Sequence, residues 1–186
     1  RPDWYYEYSL EAERLQHGHP SGVDSYISLH GGCVRFQAGT AERRPLPRLP
    51  LTLVQTGTPE SSTGECVAEV RRRFGDSSGI WDDFGAVTDR MGAALDRNDS
   101  EALREIVREN HRLLRQIGVV HDRVQSFVEE VERRGGAAKI CGAGAVSGDR
   151  AGVVWVVGDV PLNDLCERYG YSLITARGEP LGARIV

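Results

Sequence analysis

Gly142, Gly144, Gly148 and Gly152 fall within one short loop, CGAGAVSGDRAG, set between the apolar runs AAKI (137–140) and VVWVV (153–157). Both runs are β-rich, so the loop leads from one strand into another rather than into a helix. That excludes the dinucleotide-binding fingerprint, whose glycines open a helix and whose third glycine comes one position earlier. No Gly-Lys-Ser/Thr closes the loop, which excludes a P-loop as well. Two readings of the glycines stay open. They let a connector turn tightly with positive φ, or they let backbone amides approach a phosphate.

The flanking patterns place this loop in an α+β fold. Good helix formers in an amphipathic pattern run over 5–16 and stop at Gly18 and Pro20; a short helix follows over 21–29, with Gly31-Gly32 as its stop. CVRFQ (33–37) and LTLVQ (51–55) read as strands, separated by an Arg- and Pro-rich turn or linker over 38–50. Val67, Val70 and Phe74 stripe one helix, and Phe84, Val87, Met91 and Leu95 the next. Asn98 with Glu101 predicts a capping-box start for a helix over 99–117 that turns Leu103, Ile106, Val107, Leu114 and Ile117 inward. Val124, Phe127, Val128 and Val131 line a further helix ended by Gly135-Gly136. Beyond VVWVV come a helix over 162–169, the strand YSLIT (171–175) and the closing ARIV. The sum is a helical layer on a small, mostly antiparallel sheet.

Composition narrows the partners. The net charge is 23 − 27 = −4 over 186 residues, with no basic footprint for nucleic acid or an anionic membrane. The longest apolar run, 153–157, is far too short to span a bilayer. Cys33, Cys66, Cys141 and Cys166 are widely spaced and read as free thiols of a reducing, cytoplasmic compartment. The chain opens at Arg1 with Trp4-Tyr5-Tyr6 close behind, from which a preceding portion is expected, removed or carried on another polypeptide.

The stretch HGHPSGVDSYISLHGG (17–32) crowds His17, Gly18, His19, Pro20 and Gly22 around the start of the short helix, with His30 and Gly31-Gly32 at its end. Asp24 falls in its first turn. There it either complements the helix dipole, worth about 0.3–1 kcal/mol, or accepts and orients a hydroxyl proton, as positioned aspartates do in phosphoryl transfer. Glu13, eleven residues upstream near a helix C-terminus, is either part of a solvated face with Glu11 or a ligand for Mg²⁺, which favours one or two carboxylates plus phosphate oxygens. His17 and His19 lack the further ligands of a zinc site and suit a loop-shaping or substrate-facing hydrogen bond. Arg71-Arg72-Arg73 reads as a solvated helix face, with a basic cluster near an anion site as the alternative.

ERLQHGHPSGVD (13–24) closely resembles the segment E-R-x-x-H-G-x-P-S-G-x-D of mevalonate kinases, a branch of the GHMP kinase family. AKICGAG (138–144) is similar to the third GHMP motif, K-[LIM]-[TS]-G-A-G-G-G-G, and residues 110–136 resemble the two helices that precede it. Cys141 stands where Thr or Ser is usual, and a longer loop replaces the run of glycines. The resemblance implies a GHMP-kinase C-terminal domain, ferredoxin-like, over 48–186, and over 1–47 the last helices and strand of an incomplete N-terminal domain. It implies ATP-dependent phosphorylation of the primary hydroxyl of mevalonate. Asp24 matches the catalytic aspartate and Glu13 the Mg²⁺-binding glutamate. The resemblance further implies that His17, Ser21 and Gly22 border the substrate and that Gly142, Ala143 and Gly144 support the nucleotide phosphates. Thr56 and Thr63 fall where the family has polar residues near its site. The family's phosphate loop (P-x-x-x-G-L-G-S-S-A), its Mg²⁺-binding serine and its lysine all precede the aspartate segment and are absent from this sequence. An N-terminal half is therefore the expected partner, as a separate subunit or a cleaved segment, with dimeric assembly open. Without that half, an apolar face is expected on 1–37. The alternatives are another GHMP kinase, acting on phosphomevalonate or a sugar, and a non-catalytic regulatory half.

Overall fold

A computed structural model describes residues 4–17, 20–48 and 51–184, without the side chains of Gln16, His17 and Thr175. It divides into two compact units, one drawn from Arg1–Arg48 and Arg177–Val186, the other from Leu49–Ala176.

The first unit contains helices α1 (Trp4–His17) and α2 (Val23–His30) and strands β1 (Cys33–Gln37) and β2 (Thr40–Arg44). The helices are joined by polar contacts: the Tyr6 hydroxyl donates to the Gly22 carbonyl at 3.3 Å, and Ser9 Oγ donates to the buried Ser25 Oγ at 2.9 Å. β1 and β2 form an antiparallel hairpin, from Cys33 opposite Arg44 to Gln37 opposite Thr40. This corrects the expectation of a turn or linker over 38–50. Ala38 and Gly39 take φ of 48° and 79°, the pair of positive angles whose twist suits a two-residue hairpin. The charged, proline-bordered composition of 40–44 hid that strand. The final segment returns onto this unit, with Gly32 N donating to Glu179 O at 2.7 Å and Ala183 N to Ser28 O at 2.8 Å.

The second unit contains β3 (Thr52–Gly57), α3 (Thr63–Phe74), α4 (Ile80–Arg97), α5 (Ser100–Gln116), α6 (Asp122–Arg133), β4 (Ala137–Cys141), β5 (Gly152–Val157), α7 (Asn163–Tyr169) and β6 (Ser172–Thr175). Its sheet has the order β4-β5-β3-β6 with every pairing antiparallel. That is the ferredoxin-like arrangement, with four helices in the first crossover. Register aligns Ile140, Val154 and Val54 across three strands, and all three are fully buried. Leu103 and Val107 of α5 and Phe127 and Val131 of α6 complete this core.

Most helix faces follow the apolar periodicity, with two corrections. Val67 is 59% exposed, and Cys66 beside it takes the inward position. A helix advances 100° per residue, so a stripe read one position off turns its residue to solvent. Asn98 does not cap α5. It ends α4 in the left-handed region at φ 51°, and Asp99 caps α5 by accepting from Ala102 N at 3.1 Å. The capping box belongs instead to α3, where Ser62 and Glu65 satisfy each other's amides. Among the described residues no helix is long and apolar enough to cross a membrane.

Phe127 is fully buried, edge-to-face with Tyr169 and Tyr171 at centroid distances of 5.5 and 5.2 Å. Phe127→Ala is expected to lower unfolding free energy by about 3–5 kcal/mol in urea titration. His111 is buried on α5, and Gln125 Oε1 lies 2.8 Å from its Nε2. Burial pushes its pKa below the usual imidazole value. The unfolded chain therefore takes up this proton first, and stability falls as pH drops through about 6.5. His111→Gln is expected to flatten that part of the stability–pH profile, measured by denaturation midpoints.

Candidate active site

Gly22 sets the geometry around Asp24. It caps α2 from the left-handed region at φ 87°, and a Cβ there would meet the Tyr6 hydroxyl at 2.5 Å. Only glycine suits both demands. Ser25, next along the helix, turns inward to Ser9, whereas Asp24 stays exposed in the first turn, at the positive end of the helix. Ser21 is exposed beside it, and its Oγ accepts from Val23 N at 3.4 Å. Near the end of α1, Glu13 is half-buried, and the adjacent Arg14 pairs with Glu11 at 2.6 Å. Gly18, His19 and the side chain of His17 lie outside the described residues.

Glu13, Ser21, Gly22 and Asp24 thus belong to the first unit, and the glycine loop belongs to the second. That loop is bolted from inside. Thr56 Oγ1 accepts from Ala151 N at 2.9 Å and donates to Gly152 O at 3.0 Å. Ser61 Oγ accepts from Val146 N at 2.9 Å, and Ala145 N donates to Val119 O at 3.0 Å. Gly144 lies against the 119 backbone, so that a Cβ would meet Val119 O at 2.2 Å, and its own carbonyl faces Cys66 Sγ at 3.7 Å. The amides of Ala145, Val146 and Ala151 are therefore engaged within the protein. Gly142 and Ala143 instead border an apolar cavity of about 470 Å³ with Cys66, Val70, Trp81 and Ile117. Burial pushes the thiol of Cys141 above its usual pKa, keeping it a neutral thiol.

Thr63 opens α3 and is exposed. The roles of Thr56 and Ser61 as fasteners of the loop carry no periodic signal, because their partners lie 95 and 85 residues away in sequence. Among the described residues no three His, Cys, Asp or Glu side chains cluster to hold a metal. A single carboxylate such as Glu13 nonetheless fits Mg²⁺ when phosphate oxygens fill the other positions.

Residues 91–147 match the family described as GHMP kinases C terminal. The chain carries a GHMP-kinase C-terminal domain. The matched span includes both the helix pair over 110–136 and the motif at 138–144 that carried the resemblance. This GHMP chain is 31% identical over 150 residues to the mevalonate kinase of Mus musculus, covering 74% of this chain and 38% of that protein. To the mevalonate kinase of Gibberella zeae it is 30% identical over 202 residues, covering 94% of this chain and 39% of the relative. It therefore spans about two fifths of the curated relatives it matches. Among solved structures, L. major mevalonate kinase in complex with R-mevalonate aligns with a TM-score of 0.61 at 27% identity, over 83% of this chain and 48% of that one. The Methanococcus jannaschii mevalonate kinase shares the fold, with a TM-score of 0.73 at 18% identity over 94% of this chain and 55% of that one.

Gly144→Ala places a methyl group against Val119 O from a left-handed backbone. A loss of about 1–3 kcal/mol is expected from strain and overpacking, read as a lower denaturation midpoint. Asp24→Ala, at an exposed first-turn position, should lower the unfolding free energy by no more than about 1 kcal/mol, the size of a helix-dipole contribution.

Proposed function

We propose that this chain supplies the carboxylate side of an ATP-dependent mevalonate kinase and works joined to an N-terminal half that carries the phosphate loop. The observation that carries this reading is the presentation of Asp24, exposed at the first turn of α2 by the Gly22 cap, eleven residues after Glu13 and within the segment that resembles that of mevalonate kinases. The similarity to the Gibberella zeae mevalonate kinase along 94% of the chain, and to that of Mus musculus along 74%, supports it.

In this reading the primary hydroxyl of mevalonate attacks the γ-phosphorus of ATP. An O–P bond forms, the β,γ-bridging P–O bond breaks, ADP leaves, and the hydroxyl proton passes to Asp24. A free carboxylate is far too weak a base to ionise an alcohol beforehand. Asp24 therefore acts by orienting the hydroxyl and taking its proton late, as the new bond forms. Ser21 and Gly22, flanking α2 at its start, and His17 border the substrate. Glu13 would hold Mg²⁺, which when bound neutralises charge on the phosphates. Gly142, Ala143 and Gly144 would support the nucleotide's phosphates.

The need for a partner half has its own support. Trp4 is 48% exposed, Tyr5 41%, Tyr8 71% and Leu15 86%, all on α1, the apolar face expected where a sheet is missing. On this reading residues 1–47 are the last part of an N-terminal domain and 48–186 the C-terminal domain, whose closing segment from Arg177 packs with the first unit. The four free thiols suit a cytoplasmic setting.

The chain purified alone is expected to show no mevalonate kinase activity, and full activity alone would sink the split-site reading. Joined to a half bearing the G-L-G-S-S-A loop, it should phosphorylate mevalonate in preference to phosphomevalonate or galactose. In that assembly Asp24→Ala should lower kcat by about 10²–10⁴-fold with assembly intact; unchanged turnover would point to a non-catalytic half.

A further inference from the structure

At the end of the glycine loop away from Gly142, the second unit holds a polar pocket of about 380 Å³ between Arg123, Asp149, Arg150 and Tyr171. We propose that this pocket binds a phosphate-type oxyanion, as a phosphomonoester or a diphosphate. The proposal concerns residues of the second unit alone and does not depend on the kinase reading.

Arg123, in the first turn of α6, is held in place. Its Nη2 donates to Tyr169 O at 2.8 Å, and its guanidinium carbon lies 5.6 Å from the Tyr169 ring centre and 6.0 Å from that of Tyr171. Arg150 approaches from the opposite end of the loop, its stem lying across Gly57 so closely that a Cβ there would meet Arg150 Cδ at 2.6 Å. Between them Asp149 reaches Arg123 Nε at 3.8 Å and Arg150 Nε at 3.7 Å. Both distances exceed a hydrogen bond, and all three side chains are about half exposed, so these pairs hold weakly. Two guanidinium groups thus share one carboxylate, leaving an excess positive charge and unused N–H edges.

Tyr171 adds an independent observation. It is 7% exposed, and its hydroxyl makes no hydrogen bond of normal geometry. Arg123 approaches the phenol oxygen only as a donor and cannot accept the hydroxyl proton, which is left without an acceptor. Burial raises the phenol pKa, so the group stays protonated and can donate. A buried donor without an acceptor is costly, and Tyr171 belongs to the lining of the same pocket as the two guanidinium groups. Among the charged groups that line the pocket, two guanidinium groups face a single carboxylate, a balance that favours an oxyanion. Arginine forks match phosphate oxygens in paired hydrogen bonds. A phosphate group also has oxygens enough for both forks and the hydroxyl, whereas a carboxylate has only two. Asp149 then acts as a stand-in acceptor that the ligand displaces.

The test is calorimetric titration of the full chain with inorganic pyrophosphate and, separately, with glycerol phosphate, each against sodium chloride of equal ionic strength. Saturable one-site binding of either phosphate is expected, and none of chloride. Arg150→Gln, at an exposed position, should weaken binding by about ten-fold or more, as loss of a charge-assisted contact does. Tyr171→Phe should weaken it by several-fold, and Asp149→Asn should tighten it. The proposal is overturned if neither phosphate saturates, if chloride binds equally, or if Arg150→Gln binds as the parent does while its denaturation midpoint shows it folded.

Discussion

The second unit depends on the pairing of β3 with strands made about a hundred residues later. β3 lies between β5 and β6 in the sheet, and both follow the whole four-helix crossover in sequence. The Thr56 hydroxyl joins this strand to the glycine loop by holding Ala151 N and Gly152 O, 95 and 96 residues on. Closing so long a loop costs entropy that grows slowly with length, and the return is a core that spans three strands at Val54, Val154 and Ile140. Once β3 is in place, the ends of the sheet bring together residues that no local pattern would unite. Ser61 reaches Val146, and Arg150 lies across Gly57.

Elements governed by local physics were legible in the sequence. Val124, Phe127, Val128 and Val131 recur at helical spacing and are buried along α6, and CVRFQ alternates and forms β1. Elements whose determinants are shared between neighbours were less so. Asn98 and Asp99 are both good helix caps, and the choice between them rests on which takes the left-handed turn after α4. Strand β2 was hidden because its residues are charged and its partner lies on one side only, so nothing in its composition marks a buried face.

The candidate site divides along the same line. Gly22 was legible as a constrained position, and the structure gives the reason in the left-handed cap and the Tyr6 hydroxyl behind it. The glycine loop was legible as a loop, but not the share of its amides already engaged by Thr56, Ser61 and the 119 carbonyl. The cluster of Arg123, Arg150 and Tyr171 was not legible at all, because its members come from a helix, a loop and a strand edge far apart in sequence.

The exposed face of α1 has a spectroscopic consequence. Of the three tryptophans, Trp81 and Trp155 are half-buried against the core, while Trp4 is exposed and stacked on Tyr5 at 3.8 Å. Covering that face would move Trp4 from water to an apolar surface and shift its fluorescence to shorter wavelength, with the other two indoles left in their present surroundings. The helix thus carries a built-in optical reporter of its own coverage, readable without a label.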